Sequence, residues 1–255
     1  MAGNKWQVFI QGEGMDPGNQ DAFGQLLLAH HTGALAYEVY ERDDGYVDVL
    51  GEPSAYFSTF AQWDDQQQQA IERVRGRVLD VGVGAGRFAL HLQAKGHPVV
   101  GIDVSPGALE VCRQRGVADL RSLPFHQIDG SFGIFDTILM MGNNFGLFAT
   151  PQRARWLLRR LKGLTSPDAR IVAESRDVYT TDKPEHLAYH RRNQARGKLA
   201  GELRIRCRFR QYVGDWMPYL MVSQTELSTI VEGTGWHITE IIPSPGSQYI
   251  AVLEK

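Results

Sequence analysis

The chain has only two cysteines among its 255 residues. Cys112 and Cys207 stand too far apart for a metal knuckle or a redox pair, so both are expected as free thiols of a reducing compartment. Long apolar runs are missing as well. None approaches the roughly 20 residues of a membrane span, and the opening MAGNKWQVFI has neither the basic nor the apolar block of a signal peptide. These absences point to a cytoplasmic protein without a membrane partner. An excess of one charge is also lacking: the formal net charge is -2, with 22% charged and 43% hydrophobic residues, and gives no global pull toward nucleic acid or anionic membrane. No internal repeat occurs, and the short run Gln66 to Gln69 fits a helix ending at Gly76.

From there the chain alternates. RVLDVG reads as a buried strand, and Ala85, Phe88, Ala89 and Leu92 recur at helical spacing before the stop at Gly96. PVVGIDV is a second strand, followed by Ser105 as N-cap, Pro106 at the first helical position and Gly116 at the end. A short third strand falls within ADLRSLPF and a fourth in FDTILMMG. A helix opened by Thr150 and Pro151 leads to a fifth strand, RIVAES. Strands alternating with helices predict an α/β fold with a doubly wound, mostly parallel, Rossmann-like sheet. ELRIRCRFR, YLMVS, HITEII and QYIAVLEK then suggest an antiparallel finish to that sheet. The length suits a single domain, with a helical N-terminal cap over 1–63, a ligand-binding core over 64–175, and a substrate-side helix, hairpin and antiparallel finish over 176–255. The cap aromatics Tyr56, Phe57, Phe60 and Trp63 either cover a ligand or simply pack the cap down.

VLDVGVGAGRF places glycines at 82, 84 and 86 directly behind a strand and ahead of a helix. Such a turn presents backbone N–H groups and a positive helix end at the carboxyl edge of a parallel sheet, a geometry that binds nucleotides. The dinucleotide fingerprint G-x-G-x-x-G needs a glycine at 87, where Arg87 stands, which weakens a nicotinamide or flavin reading. Asp80 precedes the first glycine by two residues, and Asp103 ends the second strand at the distance suited to ribose hydroxyls. The competing reading is that the glycines merely let helix and strand pack closely.

At these residues the chain resembles the class I S-adenosylmethionine-dependent methyltransferases. LDVGVGAG is similar to their first motif, VVGIDVSPGALE to their second strand and helix, and FDTILMMGNNFGLF to their fourth strand and active-site loop. The resemblance implies S-adenosylmethionine as cofactor. Asp80 and the backbone of Gly82, Gly84 and Gly86 would hold its methionine end, and Asp103 the ribose. Val104, Ser122, Leu123 and Met141 would complete the groove. For the adenine side, either Asp119 is the acidic residue after the third strand, or the strand runs through it to end at Ser122 and Leu123. The second register leaves more strand after Gly116.

Methyl transfer from a sulfonium is an in-line displacement, so alignment and exclusion of water matter most, and a hydroxyl acceptor usually needs a general base. The loop Gly142-Asn143-Asn144-Phe145 resembles the Gly-Asn-Ser loop of glycine N-methyltransferases, and SRDVY at 175–179 resembles their His-Arg-Asn-Tyr stretch. The resemblance makes Asn143 a catalytic-loop residue and Arg176 a carboxylate clamp. Ser175, Asp177 and Val178 depart from the pattern, so glycine is not implied, and Arg176 could instead pair with Asp177 or Glu174. His186 and His190, with Tyr189, share one face of a helix in PEHLAYHRRN, and either is a candidate base for O-methylation. The other reading is a solvated helix with incidental histidines. The Glu of H-E-x-x-H is missing, and no metal is expected.

Arg204, Arg206, Arg208 and Arg210 alternate with Ile205, Cys207 and Phe209, which puts four guanidiniums on one strand face. That face either meets a polyanion or is a solvated outer surface. GNNF lacks the proline of the N-P-P-Y motif of base-modifying enzymes, which favours a small-molecule nitrogen or oxygen acceptor over nucleic acid. The rivals are an RNA or protein methyltransferase using the arginine stripe, and a module that binds S-adenosylmethionine without turnover. The sequence leaves the oligomeric state open.

Overall fold

The computed structural model describes residues 20–255, so the start of the expected cap lies outside the described residues. The chain opens with α1 (Ala22–His31), the hairpin β1 (Glu38–Arg42) and β2 (Val47–Gly51), and α2 (Asp65–Ile71). The core follows as β3 (Val78–Val81), α3 (Arg87–Ala94), β4 (Val99–Asp103), α4 (Pro106–Arg115), β5 (Asp119–Ser122), β6 (Phe135–Met140), α5 (Pro151–Leu161) and β7 (Thr165–Arg176). The last third holds α6 (Pro184–Gln194), β8 (Glu202–Phe209), β9 (Tyr212–Val213), β10 (Met217–Leu220), α7 (Gln224–Val231), β11 (His237–Pro243) and β12 (Gln248–Glu254).

The main sheet has seven strands in the order β11-β12-β7-β6-β3-β4-β5. β3 to β7 run parallel, and β12 and β11 close the sheet antiparallel. Alternate residues of each strand feed opposite faces. Val78, Leu139, Val172 and Ile250 pack with Trp63, Ile71, Phe88 and Leu92 on one side, while Leu79, Ile138, Ile171 and Ala251 pack with Leu157, Leu158, Leu161 and Trp236 on the other. Each such aliphatic side chain fully withdrawn from water contributes about 1.5–3 kcal/mol. Helix ends follow the local chemistry: Ser105 accepts from the Ala108 N–H to cap α4, Gly116 ends that helix at φ 96°, and Thr150 caps α5 ahead of Pro151.

Strand order reverses between β3 and β6, because the chain moves outward through β4 and β5 and then returns to the other side of β3. The crevice outside the carboxyl ends of strands at such a reversal is where ligands bind in open α/β sheets.

Three sequence expectations need correction. α2 ends at Ile71, not Gly76, and the intervening residues turn before β3. The cap is not helical throughout, since residues 38–51 form the β1–β2 hairpin; its strands are five residues each, and β2 is largely exposed, which blurs the alternation that signals a strand. ELRIRCRFR does not extend the main sheet. As β8 it joins a second, antiparallel sheet in the order β10-β8-β1-β2, with β9 paired to β8. The antiparallel finish of the main sheet is β11 and β12 alone. β5 takes the register that runs through Asp119 and ends at Ser122, opposite Asp103 on β4.

Candidate functional site: a carboxylate-flanked glycine turn under a second sheet

Asp80 is the third residue of β3 and is 3% exposed. Its Oδ2 is buried without a hydrogen-bond partner among the described residues. Burial, reinforced by the neighbouring Asp103 and opposed by Arg87, pushes the Asp80 carboxyl up to about 7. Asp103 ends β4 and accepts from the Gly84 N–H through Oδ2 at 3.0 Å and from the Ser105 N–H through Oδ1 at 3.0 Å. Burial outweighs these bonds and raises it to about 6. A buried carboxyl beside a half-buried one, neither in an ion pair among the described residues, suits a ligand that brings hydrogen-bond donors and positive charge.

Gly82, Gly84 and Gly86 take φ of 72°, 56° and 81°, left-handed values that favour glycine. Their surroundings differ. A Cβ on Gly82 would stand 2.6 Å from Asn144 Nδ2, and one on Gly86 would stand 2.8 Å from Val117 Cγ2. Gly84 faces the Tyr56 ring, 3.6 Å from where its Cβ would be. Close packing therefore accounts for Gly86, while Gly84 turns its N–H to Asp103. Gly86 caps α3 without a side-chain hydrogen bond, so the start of that helix keeps backbone donors for a ligand.

The loop after β6 completes the crevice. Asn143 sits at φ 61°, its carbonyl accepts from the Tyr219 hydroxyl at 2.6 Å, and its Oδ1 is buried without a partner among the described residues. Asn144 Nδ2 donates to the carbonyls of Val81 at 2.9 Å and Gly82 at 3.1 Å, pinning the loop to the glycine turn across the strand-order reversal. Glu174, 3% exposed near the end of β7, accepts from the Gly142 N–H at 2.9 Å and from Gln67 and Gln248 at 3.2 Å each; burial raises its carboxyl. The Arg87 guanidinium lies 4.3 Å from the Phe88 ring centre and donates to Ser58 Oγ at 3.2 Å.

The other expected residues separate. Ser122 ends β5 beside Asp103, and the Leu123 N–H donates to the Asp103 carbonyl at 3.2 Å. Val104 is exposed next to them. The Met141 side chain is committed to the core with Leu139 and Val172, which leaves its backbone for the groove. Arg176 is exposed at the end of β7 and ion-pairs with no carboxylate among the described residues; Asp177 instead caps the Tyr179 N–H, and Glu174 is satisfied as above. His186 approaches Thr181 Oγ1 at 3.2 Å and lies edge-on to Tyr46, while His190 lies 5.9 Å from the Tyr179 ring. Burial lowers both. Their helix is not a solvated bystander: Tyr189 and Arg192 donate to Asp43 of the hairpin turn at 2.9 and 2.6 Å. Neither histidine ring hydrogen-bonds the glycine turn or the Asn143 loop among the described residues. The arginine stripe is partly neutralised, because Arg206 and Arg208 both pair with Glu41 and Arg206 lies 4.3 Å over the Trp216 ring. Arg210 lies past the strand in a left-handed turn. Among the described residues no three His, Cys, Asp or Glu side chains gather as a metal site, and no helix is long and apolar enough to cross a membrane.

Sequence reasoning missed the pinning role of Asn144, the central place of Glu174, and Glu38, whose carboxylate accepts from the Tyr56 hydroxyl at 2.6 Å. The doublet Asn143-Asn144 was a usable signal for the first. Glu38 lay in a strand whose alternation was too short to read.

Residues 78–168 match the family model of the methyltransferase domain. Over 94% of this chain and 96% of the other, the fold superposes at a TM-score of 0.79 and 26% identity on an S-adenosylmethionine-dependent methyltransferase from Bacteroides fragilis, solved in complex with S-adenosyl-L-homocysteine. A protein of Geobacillus sp. (strain WCH70) named as a methyltransferase is 27% identical over 116 residues, 44% of this chain and 45% of that protein. The 2-heptyl-1-hydroxyquinolin-4(1H)-one methyltransferase of Mycobacteroides abscessus is 38% identical over 79 residues, 26% of this chain and 34% of that protein. The chain thus spans less than half the length of these two curated relatives. It shares the Rossmann-like methyltransferase fold of the Bacteroides fragilis structure, and its core matches a methyltransferase domain. The name of the Bacteroides fragilis protein gives S-adenosylmethionine as the molecule it depends on. The donor set fits that molecule: the unpartnered Asp80 Oδ2 suits an ammonium group, and the Asp103 carboxylate a ribose diol. None of the proteins named above is described as a glycine N-methyltransferase.

Proposed function

We propose that the chain moves a methyl group from S-adenosylmethionine to a nitrogen or oxygen of a small molecule by in-line displacement. The observation that carries this reading is the roof over the crevice. The second sheet descends on the catalytic loop through the Tyr219 hydroxyl on the Asn143 carbonyl at 2.6 Å, and Tyr56 lies across Gly84. A loop and glycine turn covered in this way suit a small acceptor better than a duplex or a protein surface.

When bound, the cofactor supplies an electrophilic methyl on a sulfonium. Asp80 and the glycine-turn amides would hold its amino-acid end, Asp103 its ribose, and Ser122 and Leu123 would flank its base. Asn144 fixes the distance between the glycine turn and the acceptor loop, and alignment of this kind is the main source of rate in a displacement. Asn143, with its unpartnered Oδ1, faces the acceptor as an orienting hydrogen-bond acceptor. Arg176, exposed at the mouth, is placed to meet an anionic group of the acceptor with its fork. His186 and His190 stand further out on α6, anchored through Tyr189 to the hairpin, as candidate bases.

The test is to incubate the protein with methyl-deuterated S-adenosylmethionine and a panel of amines, phenols, carboxylates and short RNA, and to read mass shifts. Labelled small-molecule product together with S-adenosylhomocysteine is expected. Label confined to RNA or protein would overturn the small-molecule reading.

A further inference from the structure

The second sheet carries a buried carboxylate that the proposed cofactor contacts do not use. Glu38, the first residue of β1, is 6% exposed. It accepts a 2.6 Å hydrogen bond from the Tyr56 hydroxyl and another from the Tyr40 hydroxyl, and burial still raises its carboxyl. Tyr219 adds a third tyrosine to the same electrostatic neighbourhood. Among the described residues no Lys, Arg or His ion-pairs with Glu38, so its ionised form is costly until a cation arrives. The nearby guanidiniums of Arg87 and Arg176 act on Glu174 instead. Position adds the second half of the argument. Tyr56 joins Glu38 at its hydroxyl to the glycine turn at its ring, 3.6 Å from the place of a Gly84 Cβ, so the pair lies against the cofactor cradle. Because the Tyr56 O–H is donated to Glu38, the lone pairs of its oxygen remain to accept from an arriving N–H.

We propose that the acceptor is an amine that enters as an ammonium ion, and that the Tyr56–Glu38 pair binds it and removes its proton. This rests on the small-molecule methyltransferase reading and narrows it. Tyrosine rings and a carboxylate without a cationic partner together favour a cation. The ammonium proton passes to the Tyr56 oxygen as the Tyr56 proton passes to the Glu38 carboxylate. The freed nitrogen lone pair then forms the bond to the methyl carbon, and the carbon–sulfur bond breaks with its electron pair left on sulfur. Glu38 releases its proton to solvent before the next turnover.

Binding tests this without requiring turnover. The protein saturated with S-adenosylhomocysteine is titrated by calorimetry with phenethylamine, phenethyl alcohol and phenylacetate, three probes of one shape and different charge. The ammonium probe is expected to bind best, and Glu38→Gln to remove about tenfold of its affinity while leaving the alcohol and S-adenosylhomocysteine unchanged. Should Glu38→Gln fail to fold, Tyr56→Phe, which keeps the ring against Gly84, reads the same preference. S-adenosylhomocysteine binding with no preference for the ammonium probe, or a preference that survives both substitutions, overturns this proposal alone. Failure of S-adenosylhomocysteine to bind overturns the underlying reading and this proposal with it.

Discussion

Asp80→Asn removes a charge that the ligand-free fold resists holding. The carboxyl is pushed from its ordinary 3.8 to about 7, first by burial and then by Asp103. A carboxyl raised in this way keeps its proton in the folded chain after the unfolded chain has lost it, so it lowers stability as pH climbs from about 4 to about 7. Linkage puts the penalty at about 2 kcal/mol at pH 5 and about 4 kcal/mol at pH 8. A buried amide carries its own desolvation cost, about 1–3 kcal/mol, but that is the same at both pH values and cancels in the difference. Urea unfolding without ligand should therefore show the variant gaining about 2–3 kcal/mol on the parent between pH 5 and pH 8. The same variant should bind S-adenosylmethionine more weakly, the trade between stability and function expected of a strained site. An identical pH dependence in parent and variant would refute the claim that Asp80 is held unpaired for a ligand.

Asp103→Ala should weaken cofactor binding by about 1–3 kcal/mol in calorimetry, because a charge-assisted pair of hydrogen bonds is lost; unchanged affinity would remove it from the ribose. Asn144→Ala should cost about 1–2 kcal/mol of stability in denaturant melts, since it frees the Val81 and Gly82 carbonyls, and should lower kcat more than cofactor affinity. Equal losses in both would make Asn144 a purely structural tie. Arg176→Lys should raise the acceptor KM well above any change in the cofactor constant, because Lys cannot reproduce the fork. Equal effects would place Arg176 in the sheet edge rather than the acceptor pocket.

The parallel core was legible because its signals are local. Glycine stops, Ser105 and Thr150 caps and buried strand runs each act within a few residues, and they located β3, β4, β6 and β7 correctly. The second sheet was not legible. β8 showed its alternation plainly, yet nothing in ELRIRCRFR says that its partner is β1, some 165 residues earlier, where Arg206 meets Glu41. The hairpin itself was lost among cap aromatics, so the grouping of Glu38, Tyr40 and Tyr219 could not be drawn. The proposed cofactor cradle sits on one motif and its neighbours, whereas the proposed acceptor side draws on β1, β10, the loop after β6 and the end of β7. Sequence reaches the first through spacing, and the second only through tertiary pairing.

The measurement that bears most directly on the account is a calorimetric titration of the purified protein with S-adenosylmethionine, S-adenosylhomocysteine and NAD. The cradle of Asp80, Gly84 and Asp103 predicts binding of both sulfur nucleotides in the micromolar range and no heat with NAD. Binding of NAD, or of none of the three, would contradict it.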